Sequence, residues 1–222
     1  MKKGILWAFG DSFTAGNSKD ISRGMPYPLG NTIGKHRAYP ILLAEDLNLR
    51  VVNLAEGGLG NTDIVNTLIK ASPNFNYLND FIVVGLTTPF RNRVKATPSE
   101  ALSLLLTDLN TIEKFLHGYK YIITSAFCPL TPYYFKSEDF RFKITNYVEW
   151  GKPNNTLIDI CGGTWLDEKK TNPVVAKTEE NTSHRTIDPG SNIYLDSCSH
   201  PSTEGHKLIA KTLLPYVYKV VK

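Results

Sequence analysis

The sequence predicts an α/β chain, a three-layer α/β/α sandwich around a central, mostly parallel sheet, on three observations. Four short apolar runs are continuous rather than alternating, the pattern of strands covered on both faces: residues 5–9 (ILWAF), 50–55 (RVVNLA), 80–86 (DFIVVGL) and 119–127 (YKYIITSAF). Segments with helical spacing and helix start signals lie between them. Strand and helix therefore alternate, which calls for parallel crossovers with helices packed on both sheet faces.

Taken in order, the first run stops at Gly10-Asp11-Ser12, so it delivers a serine to the carboxyl end of a strand. Residues 39–47 (YPILLAEDL) carry apolar side chains at helical spacing after Pro40. Residues 61–71 (NTDIVNTLIKA) open on Asn61, read as an N-cap. Residues 97–118 have Thr97 as cap, Pro98 at the first helical position, Glu100 three residues after the cap and a terminal Gly118. Residues 155–161 (NTLIDIC) read as a further strand, and a last helix follows Pro201 and runs to about Val217. Two segments break the alternation: a polar, Gly- and Pro-containing loop at about 17–38, and the aromatic-rich stretch 129–195. Long irregular insertions of this kind serve as lids or binding loops, although most of these aromatics are expected to form a satellite core. The whole chain, 1–222, reads as one domain with two insertions.

The bulk numbers exclude several classes. With 222 residues, 41% hydrophobic and 21% charged, the chain can bury a full core as one globule. The net charge of +4 is mild and the lysines are scattered, so no nucleic-acid footprint is expected. Cys128, Cys161 and Cys198 are an odd count without a CxxC pair, against a disulfide framework. No apolar stretch approaches a membrane span, and the five-residue apolar run near the N-terminus is too short for a signal peptide. The expectation is a cytoplasmic protein, released by lysis if phage-encoded, with no membrane partner and an oligomeric state the sequence does not address.

The chemistry gathers at the two ends of the chain. Near the C-terminus, LDSCSHPSTEGHKLIA (195–210) places Asp196 four residues before His200. At that spacing a carboxylate reaches one imidazole nitrogen and leaves the other to take a proton from Ser12. Each residue alone has a commoner structural role: Ser12 or Asp196 as a cap, His200 on the surface. A metal centre built on Asp11, Asp196 and His200 lacks a recognisable ligand spacing, so neither metal nor cofactor is expected.

Together the motifs resemble those of the SGNH (GDSL-type) serine hydrolases. FGDSFTAG is similar to the family's first motif, VVNLAEGGLGNTDIV to its second, and SHPSTEGHKLIA to its last. The resemblance implies a flavodoxin-like SGNH hydrolase fold with Ser12 as nucleophile, His200 as base and Asp196 as the orienting acid. It implies an oxyanion hole made by the backbone N–H groups of Ser12 and Gly58, with Asp11 structural. His206, inside the last helix, is expected at the surface. Asn61 is expected to cap its helix, with a polar contact to substrate open to it. Two departures stand out. Where the third motif, Gly-x-Asn-Asp, belongs, the chain reads GLTTPFR, so Thr87 replaces the oxyanion-hole asparagine. The family's acid lies three residues before the histidine, where this chain has Ser197; Asp196 is one residue further off, and Asp188 in IDPG is the weaker candidate. The implied activity is cleavage of an ester, acyl or acetyl, with the aromatic insertion leaning toward a carbohydrate carrier. The alternative is a binding or accessory module on the same scaffold, such as a phage-borne protein with a weakened site.

Overall fold

A computed structural model describes residues 4–16, 38–89, 91, 97–126, 156–161, 194 and 200–221. Its sheet has four strands: β1 (Ile5–Gly10), β2 (Arg50–Asn53), β3 (Phe81–Leu86) and β4 (Lys120–Ser125). All pair in parallel in the order β2-β1-β3-β4. The chain moves one way from β1 to β2 and the other way to β3, so the order reverses between β1 and β3. In open parallel sheets that switch point opens a crevice at the carboxyl ends of the strands, the usual place for a ligand.

The helices are α1 (Ser12–Ala15), α2 (Tyr39–Asp46), α3 (Asn61–Ala71), α4 (Pro98–Phe115), α5 (Leu157–Ile160) and α6 (Thr203–Val221). They form the two outer layers, because strand side chains alternate between faces. Trp7, Phe9, Ile82, Val84, Tyr121 and Ile123 meet α3 and α4 through Ile64, Leu68, Leu105 and Leu109. Leu6, Ala8, Phe81, Val83 and Ile122 meet α2 and α6 through Leu43, Ala44, Ile209 and Leu213. Every residue of β3 is buried, which is why its sequence has no polar alternation.

Local signals place the elements well. Thr97 accepts from the Glu100 N–H at 3.3 Å while the Glu100 carboxylate accepts from the Thr97 N–H at 2.7 Å, the capping box the sequence predicts. Two expectations are corrected. Residues 157–160 of the NTLIDIC run are helical, not a strand, since a short apolar run fits either element when both are buried. Helix α3 is capped at Gly60, whose N–H donates to Asp63 Oδ2 at 3.3 Å, so Asn61 is the first helical residue and not the cap. The last helix also continues to Val221, through Pro215. Most of the two expected insertions, 17–37 and nearly all of 129–195, lies outside the described residues. Among the described residues, no helix is long and apolar enough to cross a membrane, and no group of three or more His, Cys, Asp or Glu is arranged to hold a metal.

Candidate active site

The turn after β1 is held from several sides. Asp11 caps α1 by accepting the Phe13 N–H at 3.0 Å, and Gly16, at φ 81°, closes the helix by donating to Ser12 O at 3.1 Å. Asp11 therefore fills the capping role, and Ser12 is the first helical residue. The Asp11 carboxylate is fully buried and lies 3.8 Å from the Arg91 guanidinium. Asn53, at the end of β2, donates to Thr14 O at 2.9 Å and accepts from the Ala55 N–H at 3.1 Å. Thr14 sits over Gly10 and Gly85, which face each other across β1 and β3; a Cβ on either glycine would run into its side chain. The glycines at the two strand ends thus let the serine-bearing turn settle onto the sheet.

His200 comes to this turn from the far end of the chain. Its Nε2 lies 2.9 Å from Ser12 Oγ, a hydrogen-bond distance spanning 188 residues of sequence. The ring also packs against Phe13 at 5.5 Å between centroids. Pro201 separates it from α6, which Ser202 starts: its Oγ accepts from the Gly205 N–H at 3.1 Å and its carbonyl from the His206 N–H at 2.9 Å. Tyr194 O accepts from the Ser202 N–H at 2.9 Å, and Gly205 leaves no room for a Cβ against that same carbonyl. The histidine is therefore mounted on a braced helix start. Asp196 and Asp188 lie outside the described residues.

The residues expected to form the oxyanion hole follow the carboxyl ends of β1, β2 and β3. After β2 the chain follows β1, with the Leu54 N–H on Ala8 O and the Glu56 N–H on Gly10 O, and so reaches the carboxyl edge of the sheet. Gly58 then turns with φ 86°, a conformation that favours glycine, and faces open space. Thr87 stands two residues beyond Gly85, as Ser12 stands two beyond its register partner Gly10. Thr87 is fully buried, and its hydroxyl has no hydrogen-bond partner among the described residues. Asn61 is also buried, and its carboxamide bonds the main chain of Thr87.

The expectation of a surface His206 is corrected: the ring is fully buried. Its Nδ1 accepts from the Tyr39 N–H at 3.2 Å and it stacks on the Tyr39 ring at 6.3 Å. The Tyr39 hydroxyl in turn lies 3.1 Å from Thr14 Oγ1, so α6 and α2 brace the serine turn from beneath. Burial pushes the Tyr39 phenol up to about 12, which keeps it a neutral hydrogen-bonding group. The sequence carried a signal for this: His206, Ile209, Leu213 and Val217 follow helical spacing and share a buried face. Burial likewise pushes the Cys161 thiol up to about 12, so it is a neutral core residue and no rival nucleophile.

The parallel three-layer sheet that carries these residues matches solved structures in its fold. A protein assigned to the lipolytic G-D-S-L family from Desulfitobacterium hafniense DCB-2 superimposes with a TM-score of 0.52 over 96% of this chain and 99% of its own, at 15% identity. The chain has the SGNH hydrolase fold. The psychrotrophic esterase EstA from Pseudoalteromonas sp. shares that SGNH fold with a TM-score of 0.51, 13% identity and 98% coverage of both chains. A carbohydrate esterase, whose active site is described as having divergent catalytic and non-catalytic binding functions, gives 0.51 at 14% identity over 99% of this chain and 70% of its own. No protein-family model matches the chain, and no curated protein does.

Proposed function

We propose that the chain is a serine ester hydrolase that removes a short acyl group, such as acetyl, from a carbohydrate or other small carrier. The observation that carries this reading is the 2.9 Å contact between Ser12 Oγ and His200 Nε2 at the carboxyl end of β1. Serine alone is a weak nucleophile; an imidazole at this distance takes its proton as the oxygen attacks the ester carbonyl. The negative charge then forms on the carbonyl oxygen, met by the main-chain N–H groups of Ser12 and Gly58 and by the Thr87 hydroxyl. Collapse expels the alcohol, which takes the proton from His200 and leaves an acyl-serine. Water, deprotonated by the same histidine, attacks that ester, releasing the acid and restoring Ser12. Asp196 is the acid that orients the imidazole in this scheme, and the reading takes 1–222 as one domain with two insertions.

Support for an ester comes from the company of the fold, which includes an esterase described as inhibited by monoethylphosphonate and the carbohydrate esterase above. The second reading, a carbohydrate-binding module with a weakened site, draws on Thr87 standing where the family has asparagine. A fluorophosphonate probe separates the two. Stoichiometric label on Ser12, located by peptide mass, is the expected result; an unlabelled, folded protein that still binds carbohydrate favours the module.

A further inference from the structure

Asn61 opens α3, yet its side chain serves a residue 26 positions away. Its Oδ1 accepts from the Thr87 N–H at 2.8 Å and its Nδ2 donates to the Thr87 carbonyl at 3.2 Å. Helix capping does not require it, because Gly60 and Asp63 close the first turn. A carboxamide that grips both main-chain groups of one residue fixes the position of that residue and the orientation of its peptide planes. The grip has a chemical consequence. The Thr87 N–H is consumed by Asn61, so the main chain there is not offered to a substrate oxygen, and the hydroxyl is what remains. That hydroxyl is buried without a partner among the described residues, an unfavourable state when nothing offsets it. Unsatisfied buried groups of this kind point to a strained or functional site.

We propose that Asn61 is the positioning residue of the oxyanion hole and acts through Thr87. Where the family is expected to reach the oxyanion with an asparagine side chain at the end of the third strand, this chain keeps a carboxamide on the neighbouring helix. It uses that carboxamide to hold the shorter threonine in place. The Thr87 hydroxyl then meets the oxyanion directly or across one bound water. A group aimed beforehand stabilises charge that appears only in the transition state, so its loss lowers kcat and leaves KM nearly unchanged.

This rests on the serine hydrolase reading, so wild-type labelling by a fluorophosphonate is read first; without label both ideas fall. With labelled, active wild type, Asn61→Ala, Thr87→Val and the double variant are compared on an activated aryl ester, alongside thermal midpoints. Each single change should lower kcat roughly tenfold or more, the lower side of an oxyanion donor's usual worth. The double variant should be no worse than the poorer single one, because Asn61 works through the hydroxyl that Thr87→Val removes. Should Asn61→Ala melt below the assay temperature, Asn61→Asp is read in its place: it keeps the acceptor for the Thr87 N–H and turns the donor into an oxygen facing the Thr87 carbonyl. Wild-type kcat in the Asn61 variants, a rise confined to KM, or losses that multiply in the double variant would each overturn the positioning role.

Discussion

Replacing Ser12 by alanine separates chemistry from folding because the two effects differ by orders of magnitude here. The side chain is 6% exposed and its oxygen meets His200 Nε2 at 2.9 Å, while the turn itself is held by Asp11, Asn53 and Thr14. Losing one such hydrogen bond costs about 1 kcal/mol net. For a chain of this size that lowers the thermal midpoint by about 2–4 °C. The catalytic loss is of another scale: removing the nucleophile of a triad costs on the order of 10⁶ in turnover, and removing its base costs nearly as much. In the proposed mechanism Ser12 and His200 act as one unit, so Ser12→Ala combined with His200→Ala should be no slower than either alone. The assay is hydrolysis of an activated aryl ester, with thermal melts of the same samples and intact mass after fluorophosphonate treatment. A Ser12→Ala variant keeping more than about a tenth of the turnover would show that Ser12 is not the nucleophile, and losses that multiply in the double variant would show that Ser12 and His200 do not act together.

Three further outcomes are expected. Asp196→Asn should lower turnover by about 10⁴ by losing control of the imidazole tautomer, and a comparable fall in Asp188→Asn instead would reassign the acid. Asp80 is buried and its carboxylate accepts from the Ile5 N–H, the Trp7 indole N–H and the Asn76 N–H at 2.8–2.9 Å. Asp80→Ala strands those donors and should cost about 3 kcal/mol, seen as a midpoint lower by roughly 6–12 °C; a change under about 2 °C would count against it. Tyr39 and Tyr121 are both raised to about 12, chiefly by burial. A raised phenol favours the folded state below its unfolded value near 10, and that stability is lost as pH climbs from 10 toward 12. Between pH 9 and 11 Tyr39 should account for roughly 1 kcal/mol of loss, so urea midpoints of Tyr39→Phe should fall less steeply over that interval than those of wild type. Equal slopes would remove Tyr39 from the account.

Rules that act within a few residues or on whole faces made part of this architecture readable in the chain. A strand covered on both sides must be apolar throughout, so β1, β3 and β4 were legible as runs. The Thr97–Glu100 box closes within three residues and was legible as spelling. That Ser12 follows a strand end and His200 precedes a helix start was legible from their motifs. The tertiary structure decided the rest, wherever partners lie far apart in sequence. Asn61 reads locally as a cap, yet the neighbouring strand end takes both atoms of its amide. His206 reads locally as a polar residue on a helix, yet packing of α6 on α2 buries it against Tyr39, 167 positions away. Residues 157–160 were ambiguous because burial alone does not distinguish a short apolar helix from a strand. Local hydrogen bonds are written in spacing; which buried polar group meets which is set by the register of the sheet and the seating of helices on it, and that exists only once the chain has folded.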